Sequence, residues 1–221
     1  MVLVEDAGND NSWQILCELR ERYPRIIAIQ LMRNFGQHNA LMCGFRHASG
    51  EFILTMDDDL QHPPEEIPKL LNTIERSDFD VVYGIYDLKK HAAGRNIGSS
   101  VVNAFFRLVF RTRVTVTSLR IIRRSLVDCI LSYDLNFTYI DGLLAWNSAR
   151  IGEVLVEHQP RAAGTSGYSL RKLLTLALNL FTNFSLLPLQ VASGIGLLAA
   201  LGGFILGFYF LVAALLNNIS V

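Results

Sequence analysis

Charge is what this sequence runs out of: after Lys172 no Asp, Glu, Lys or Arg occurs through Val221. Upstream, the 20 acidic and 20 basic residues of the 221-residue chain cancel. That balance excludes a global basic field, so nucleic acid is not an expected partner. Cysteine is nearly as scarce. Cys17, Cys43 and Cys129 are odd in number and lack metal-ligand spacing, which argues against a disulfide framework or a zinc site. Buried, reduced thiols are expected instead, in keeping with a cytoplasmic main domain. The opening Met1-Val-Leu-Val-Glu5-Asp6 reaches acid at once, unlike a secretory signal. Internal repeats and low-complexity tracts are also lacking.

The uncharged tail is informative in itself. Leu189 to Leu216 is long enough to cross a hydrocarbon core of ~30 Å, for which about 20 residues suffice. Its glycines (Gly194, Gly196, Gly202, Gly203 and Gly207) are tolerated in membrane helices and permit close packing. A domain this small could hardly surround so long an apolar helix, so a buried soluble helix is the weaker reading. Arg171 and Lys172 flank its entry, and positive-inside bias then places the main domain in the cytoplasm. Leu173 to Leu187, carrying Asn179 and Asn183 and followed by Pro188, is expected to lie along the interface. The expected organisation is an α/β domain over 1–168, a juxtamembrane interfacial helix over 169–187 and one transmembrane helix over 189–216.

Within the main domain, strands alternate with helices. Val2–Val4, Ile26–Leu31, Phe52–Met56 and Asp80–Gly84 read as strands. Helices are expected over Trp13–Arg20, capped by Ser12, over Asn39–His47 and over Glu65–Ile74. Thr115–Ile122 is a weaker strand, helices follow over Arg123–Leu131 and Thr138–Ser148, and Ile151–Val156 is a last strand. The pattern implies a mostly parallel, Rossmann-like sheet with helices on both faces. Between them, Tyr86 to Val109 is the most basic stretch, with an amphipathic helix from about Ser99. A solvated face and an anion site explain its cations equally well.

The organising stretch is Phe52-Ile-Leu-Thr-Met-Asp57-Asp58-Asp59-Leu60-Gln61-His62-Pro63-Pro64-Glu65-Glu66. A short apolar strand stops at three aspartates, and prolines and glutamates then start a helix. The acids thus fall at the C-terminal end of a strand, where open α/β sheets keep their ligand crevice. Two such charges ~4 Å apart repel by about 1 kcal/mol in water and about 4 at an effective dielectric near 20. Solvation as an acidic turn would relieve this, as would a cation; the flanking strand and helix start favour the cation. Strand alternation is expected to turn Asp57 and Asp59 to one side and Asp58 to the other. With the side-chain carbonyl of Gln61 they offer hard oxygen ligands suited to Mg²⁺ or Mn²⁺. A metal site, a basic stretch and a membrane tether fit a soluble anionic donor meeting a lipid-bound phosphate acceptor. The metal would neutralise a diphosphate leaving group. A phosphate acceptor is already ionised near neutral pH and needs little general-base help.

Asp57 to Pro68 resembles the metal motif of glycosyltransferase family 2 enzymes with the GT-A fold, and is closest to the polyprenyl-phosphate glycosyltransferases. Arg33-Asn-Phe-Gly-Gln-His38 and Arg161-Ala-Ala-Gly-Thr-Ser-Gly-Tyr-Ser169 look like further motifs of that group, and the resemblance covers nearly the whole chain. It implies an inverting transfer of sugar from a nucleotide diphosphate sugar, UDP-linked by expectation, to a polyprenyl phosphate at the inner (plasma) membrane. By resemblance, Asp57 and Asp58 lie near the nucleotide, and Asp59, Gln61 and Asp57 hold metal and diphosphate. Glu5, where the family usually has Asp, and Asp6 form the strand-end acidic pair beside the base. Arg33 is on the nucleotide side. Lys90, commonly Arg in the family, grips the acceptor phosphate with Arg95 and Ser99. Arg161 and Ser166 close over the donor. Asp57, Asp59 and Arg95 are the residues expected to carry the chemistry, and a homo-oligomer is compatible with this reading.

Two departures stand out. The family's first strand with its Pro-x-Tyr-Asn-Glu turn, and a second membrane helix, are expected to be missing. The alternative reading is therefore a truncated, catalytically silent membrane partner of a full-length transferase. Transfer onto a growing polysaccharide is weaker, for lack of acceptor-activating acids and further spans. Other residues keep plain expectations: His38 caps or packs, Trp13 and Trp146 belong to the core, His62 is as readily a turn residue as a ligand. Asp141 is either catalytic or a helix-start acid.

Overall fold

The computed structural model describes residues 1–86, 114–133, 138–157, 159 and 187–217. Among the described residues, six short strands form two sheets. β1 (Val2–Glu5) pairs in parallel with β2 (Ile27–Gln30). The second sheet runs β3 (Phe52–Thr55), β5 (Arg120–Arg123), β4 (Val81–Ile85), β6 (Ile151–Leu155). β5 is antiparallel to both its neighbours, while β4 and β6 are parallel. β3, β4 and β6 therefore share one direction, and their C-terminal ends lie at one end of the sheet. The α/β class expected from alternation holds, in a sheet that is mixed because β5 is inserted against the grain.

Strand pleating sorts the two faces. Val82 of β4 and Ile121 of β5 pack with Leu70 and Ile74 of α3 (Ile67–Glu75), all four essentially buried. Burial of each such side chain contributes roughly 1.5–3 kcal/mol. The intervening residues Tyr83 and Arg120, direct cross-strand partners, face the other side. That side is covered by α4 (Arg124–Leu131) and α5 (Ile140–Asn147), which contribute Leu126, Val127, Ile130, Leu143 and Leu144 to the core. α1 (Ser12–Arg22) and α2 (Gln37–His47) accompany the first sheet, and Gly44 of α2 lies against Val4.

Several local expectations shift. Ser12 is the first residue inside α1, not its cap, because Asp10 Oδ1 accepts its amide at 3.0 Å. Cys129 is exposed and donates to Asn147 Oδ1, and Trp146 is 61% exposed, so neither belongs to the core. Both sit on the outward face of the α4–α5 pair, where an apolar residue type was read as burial.

The chain from Leu174 onward is a separate compact unit. Its helix α6 (Leu187–Asn217) holds Pro188 in the first turn, where a missing N–H costs nothing. Within it Leu189–Leu216, 28 residues with none buried, is long and apolar enough to cross a membrane. The expected basic helix near Ser99 and the interfacial helix over 169–187 lie outside the described residues, apart from Leu187 at the start of α6.

Candidate active site

β3 ends at Thr55, two residues before Asp57, so pleat alternation does not aim the aspartates. A turn does so instead. Leu60 takes φ of 60°, a left-handed conformation that an exposed leucine adopts only at a cost of about 1–2 kcal/mol. The acids still differ in exposure: Asp57 and Asp59 are half-buried while Asp58 and Leu60 are exposed. Asp59 Oδ1 accepts the Gln61 amide at 3.2 Å, and Asp57 Oδ1 accepts Gln37 Nε2 at 2.9 Å. His62 is buried beneath the turn. Burial holds its imidazole below the ordinary range, against the opposing pull of Asp57 and Asp59.

Among the described residues no three His, Cys, Asp or Glu side chains converge. The chain thus offers a partial set, two carboxylates and an amide oxygen. Such a set suits Mg²⁺ or Mn²⁺, which keep several positions for water and substrate phosphate. The residues fit the ion in that sense.

The second strand-end pair sits at the tip of β1. Asp6 accepts the backbone amides of Phe35 and Gly36, each at 2.7 Å, and so shapes the loop that carries Arg33. Arg33 is exposed and stacks over the Phe35 ring at 4.6 Å. Glu5 is buried; one oxygen takes the Gly8 amide and Oε2 has no hydrogen-bond partner among the described residues. Gly36, at φ of 87°, turns the loop into α2. A Cβ there would meet nothing within 4 Å, so an alanine would suffer from backbone conformation alone. Gly36→Ala is expected to cost about 1–2 kcal/mol. A urea midpoint equal to wild type would show that the loop relaxes freely.

Beneath the site lies a network the sequence did not disclose. Arg120 Nη1 and Tyr83 Oη both donate to Asp141 Oδ1, the tyrosine at 2.9 Å. The arginine and aspartate side chains are 2% and 7% exposed. Burial disfavours the Arg120 charge, but the Asp141 carboxylate outweighs it and keeps the guanidinium protonated. Burial also drives the Tyr83 phenol well above its ordinary value, helped by Asp141. Asp141 is therefore the counter-ion of an interior cation rather than only a helix-start acid. His38 packs edge-on to Tyr139, ring centroids 5.0 Å apart, and its Nδ1 faces the Ile140 amide at 3.5 Å. A lone Arg120 among Leu119, Ile121 and Ile122 was the available sequence signal.

Because β3 and β6 point the same way, the chain leaving β6 meets the acidic turn. Gln159 N donates to the Gln61 carbonyl at 2.9 Å, and Gln61 Nε2 reaches the Gln159 carbonyl at 3.4 Å. Glu66 accepts the Glu157 amide at 3.1 Å and is paired with Lys69 at 2.6 Å. Of the remaining expected site residues, Lys90, Arg95, Ser99, Arg161 and Ser166 lie outside the described residues.

Acidification should weaken this domain through three groups. The Lys69 hydrogen bond holds the Glu66 carboxyl below its ordinary 4.5. Burial opposes the Asp80 carboxylate, but Arg150 and Ser148 prevail and hold it below 3.8. Burial holds His38 below 6.5, with Asp141 opposing and Arg120 assisting. In each case the folded-state value is the lower one. The stabilisation is complete above the ordinary value and is lost as pH falls through the folded-state value. Urea midpoints should therefore drop as pH falls below 6.5, where His38 begins to lose its share, and again below 4.5 and 3.8, where Glu66 and Asp80 lose theirs; a rise on acidification would contradict these assignments.

Residues 1–131 match the family model for glycosyl transferase family 2. The chain belongs to that family. Among family members, it is 36% identical to the undecaprenyl-phosphate 4-deoxy-4-formamido-L-arabinose transferase of Yersinia enterocolitica, over 97% of this chain and 66% of the relative. The enzyme of that name from Photorhabdus laumondii is also 36% identical, over 98% of this chain and 67% of the relative. The chain thus spans about two thirds of the length of these family relatives. Family-like folds occur among solved structures. A mannosyltransferase from Pyrobaculum calidifontis, in complex with GDP-Man and Mn²⁺, superposes with a TM-score of 0.53 at 16% identity, over 76% of this chain and 48% of that one. Glucosyl-3-phosphoglycerate synthase from Mycobacterium tuberculosis, with Mn²⁺, UDP-Glc and phosphoglyceric acid, gives 0.56 at 14% identity, over 80% and 64%. At these identities the likeness establishes the GT-A-like fold alone.

Proposed function

We propose that this family 2 chain is a metal-dependent, inverting glycosyltransferase acting on a nucleotide diphosphate sugar, UDP-linked, with a membrane polyprenyl phosphate as acceptor. The observation that carries the reading is the acidic turn. Asp57 and Asp59 are half-buried, and Gln61 is tied to the chain leaving β6. Relatives sharing 36% identity over most of the chain are named as undecaprenyl-phosphate sugar transferases, which supports the acceptor class.

Asp57, Asp59 and Gln61 bind and orient the donor diphosphate together with Mg²⁺ or Mn²⁺. When bound, that ion supplies charge neutralisation for the departing nucleotide. Asp6 shapes the loop that brings Arg33 to the nucleotide. Glu5 Oε2, a buried acceptor with no partner among the described residues, suits a base N–H such as the imide of uracil. Lys90, Arg95 and Ser99 hold the acceptor phosphate, whose oxygen attacks the anomeric carbon in line. Arg161 and Ser166 close over the donor. Positioning and electrostatics then supply most of the acceleration. The uncharged helix Leu189–Leu216 anchors the protein in the inner membrane, with residues 1–168 cytoplasmic and 169–187 along the interface.

Purified protein in polyprenyl-phosphate liposomes with Mn²⁺ and radiolabelled UDP-sugars should yield lipid-extractable label that disappears on chelation. Absence of label from every common UDP-sugar would count against this reading. The break between the β1–β2 pair and the four-stranded sheet favours a second one, a catalytically silent partner of a longer transferase. Tight Mn²⁺-dependent UDP binding by the chain would exclude it.

A further inference from the structure

The acidic turn does not stand alone, and the group that braces it is one the proposed chemistry leaves unused. Glu66 ends the short turn Pro64–Glu66, where an acid is expected to face solvent as a helix-start residue. It is instead 6% exposed. Its oxygens take Lys69 Nζ at 2.6 and 2.8 Å, and Oε2 also accepts the Glu157 amide at 3.1 Å. Two residues further on, Gln159 brackets Gln61: its amide donates to the Gln61 carbonyl at 2.9 Å, and its carbonyl faces Gln61 Nε2 at 3.4 Å.

The consequence for Gln61 is directional. A carboxamide has one donor end and one acceptor end. With Nε2 drawn to the Gln159 carbonyl, Oε1 is the atom left for a ligand, and oxygen is the end that a hard cation or a hydroxyl would need. The Gln61 amide is fixed as well, by Asp59 Oδ1 at 3.2 Å. A buried carboxylate with a single lysine partner is costly to keep if it only fills space. Glu66 directs that cost to the backbone amide of Glu157.

We propose that Glu66, neutralised by Lys69, is a positioning residue for the metal and diphosphate site. It holds the main chain at Glu157, and through it Gln159, against the acidic turn, and so fixes which end of the Gln61 carboxamide faces the ligand. The inference rests on the proposed function only in what the ligand is.

The test uses the full chain in detergent and two readouts. Amide hydrogen exchange at Glu157 and Gln159 should accelerate in Glu66→Ala and stay near wild type in Glu66→Gln, which keeps an acceptor oxygen. Mn²⁺ binding in the presence of UDP should weaken about 10-fold or more in Glu66→Ala, as outer-shell losses do, and by much less in Glu66→Gln. Arg150→Ala, which breaks the Asp80 pair elsewhere, should lower the unfolding midpoint without changing Mn²⁺ affinity. Unchanged exchange and affinity in Glu66→Ala would overturn the proposal, and so would an equal affinity loss in Arg150→Ala. A wild-type chain that binds no Mn²⁺ with UDP would fail the functional reading instead, and the exchange readout would still decide whether Glu66 holds the main chain at Glu157 and Gln159.

Discussion

Asp59→Asn is expected to lower kcat/KM for sugar transfer by about three orders of magnitude while leaving the fold intact. The substitution is informative because it separates charge from geometry. Asn keeps the volume and the oxygen that accepts the Gln61 amide at 3.2 Å, so the turn should persist. What disappears is one of the two half-buried negative charges of the acidic turn, which on the proposed function hold the cation that neutralises the donor diphosphate. Charge stabilisation in a partly desolvated site is worth several kcal/mol, and each 1.36 kcal/mol is about tenfold in rate. Asp58→Asn is the matched control, since Asp58 is exposed and Asp57 and Asp59 are not. It should change the rate less than about threefold, in keeping with a solvated charge. Equal activity in Asp59→Asn and wild type would remove the acidic turn from the mechanism. A dead Asp58→Asn beside an active Asp59→Asn would reverse the assignment of sides.

The largest stability effect is expected at Asp141. Removing it in Asp141→Ala strands the Arg120 guanidinium, 2% exposed, in the interior, a loss of about 3–5 kcal/mol. Set against a typical stability of about 5–15 kcal/mol, that loss would leave the domain marginal. Tyr83, opposite Arg120 across β4 and β5, would lose its acceptor at the same time. Replacing both charged partners, as in Arg120→Met with Asp141→Leu, should cost much less than Asp141→Ala. The interior then holds no unpaired charge, and the two substitutions should be strongly non-additive. Urea unfolding of the wild type, Arg120→Met, Asp141→Leu and the double variant gives the coupling directly. Additive losses would mean that Asp141 and Arg120 do not depend on one another, contrary to their shared Oδ1 contact. The double variant also bears on catalysis. If it folds and still transfers sugar, Asp141 is structural; if it folds and is inactive, the carboxylate reaches the reaction by another route.

Legibility followed the range of the interaction. The strand Phe52–Thr55, the acids after it and the Pro-Pro helix start could be read along the chain because period, breaker and charge all act over a few residues. Asp6 could be placed at a strand tip, but its partners are amides 29 and 30 residues away, and no local rule points to them. Glu66 was read as a helix-start acid, correct for its place in the turn and silent on its burial. Asp141 stayed between two readings because the deciding partner, Arg120, arrives from β5, 21 residues earlier in the chain. Trp146 and Cys129 were read as core from residue type, although a helix has an outer face too.

By itself, then, the sequence determined the α/β class, the order of the described elements, the family, the uncharged helix Leu189–Leu216 and the place of the three acids just after a strand. Tertiary structure alone decided the antiparallel insertion of β5, the Arg120–Asp141–Tyr83 cluster and the bracing of Gln61 from beyond β6. The division is physical: periodicity and turn chemistry are written in neighbouring residues, whereas burial of a charge becomes tolerable only when a distant partner is carried to it by the fold.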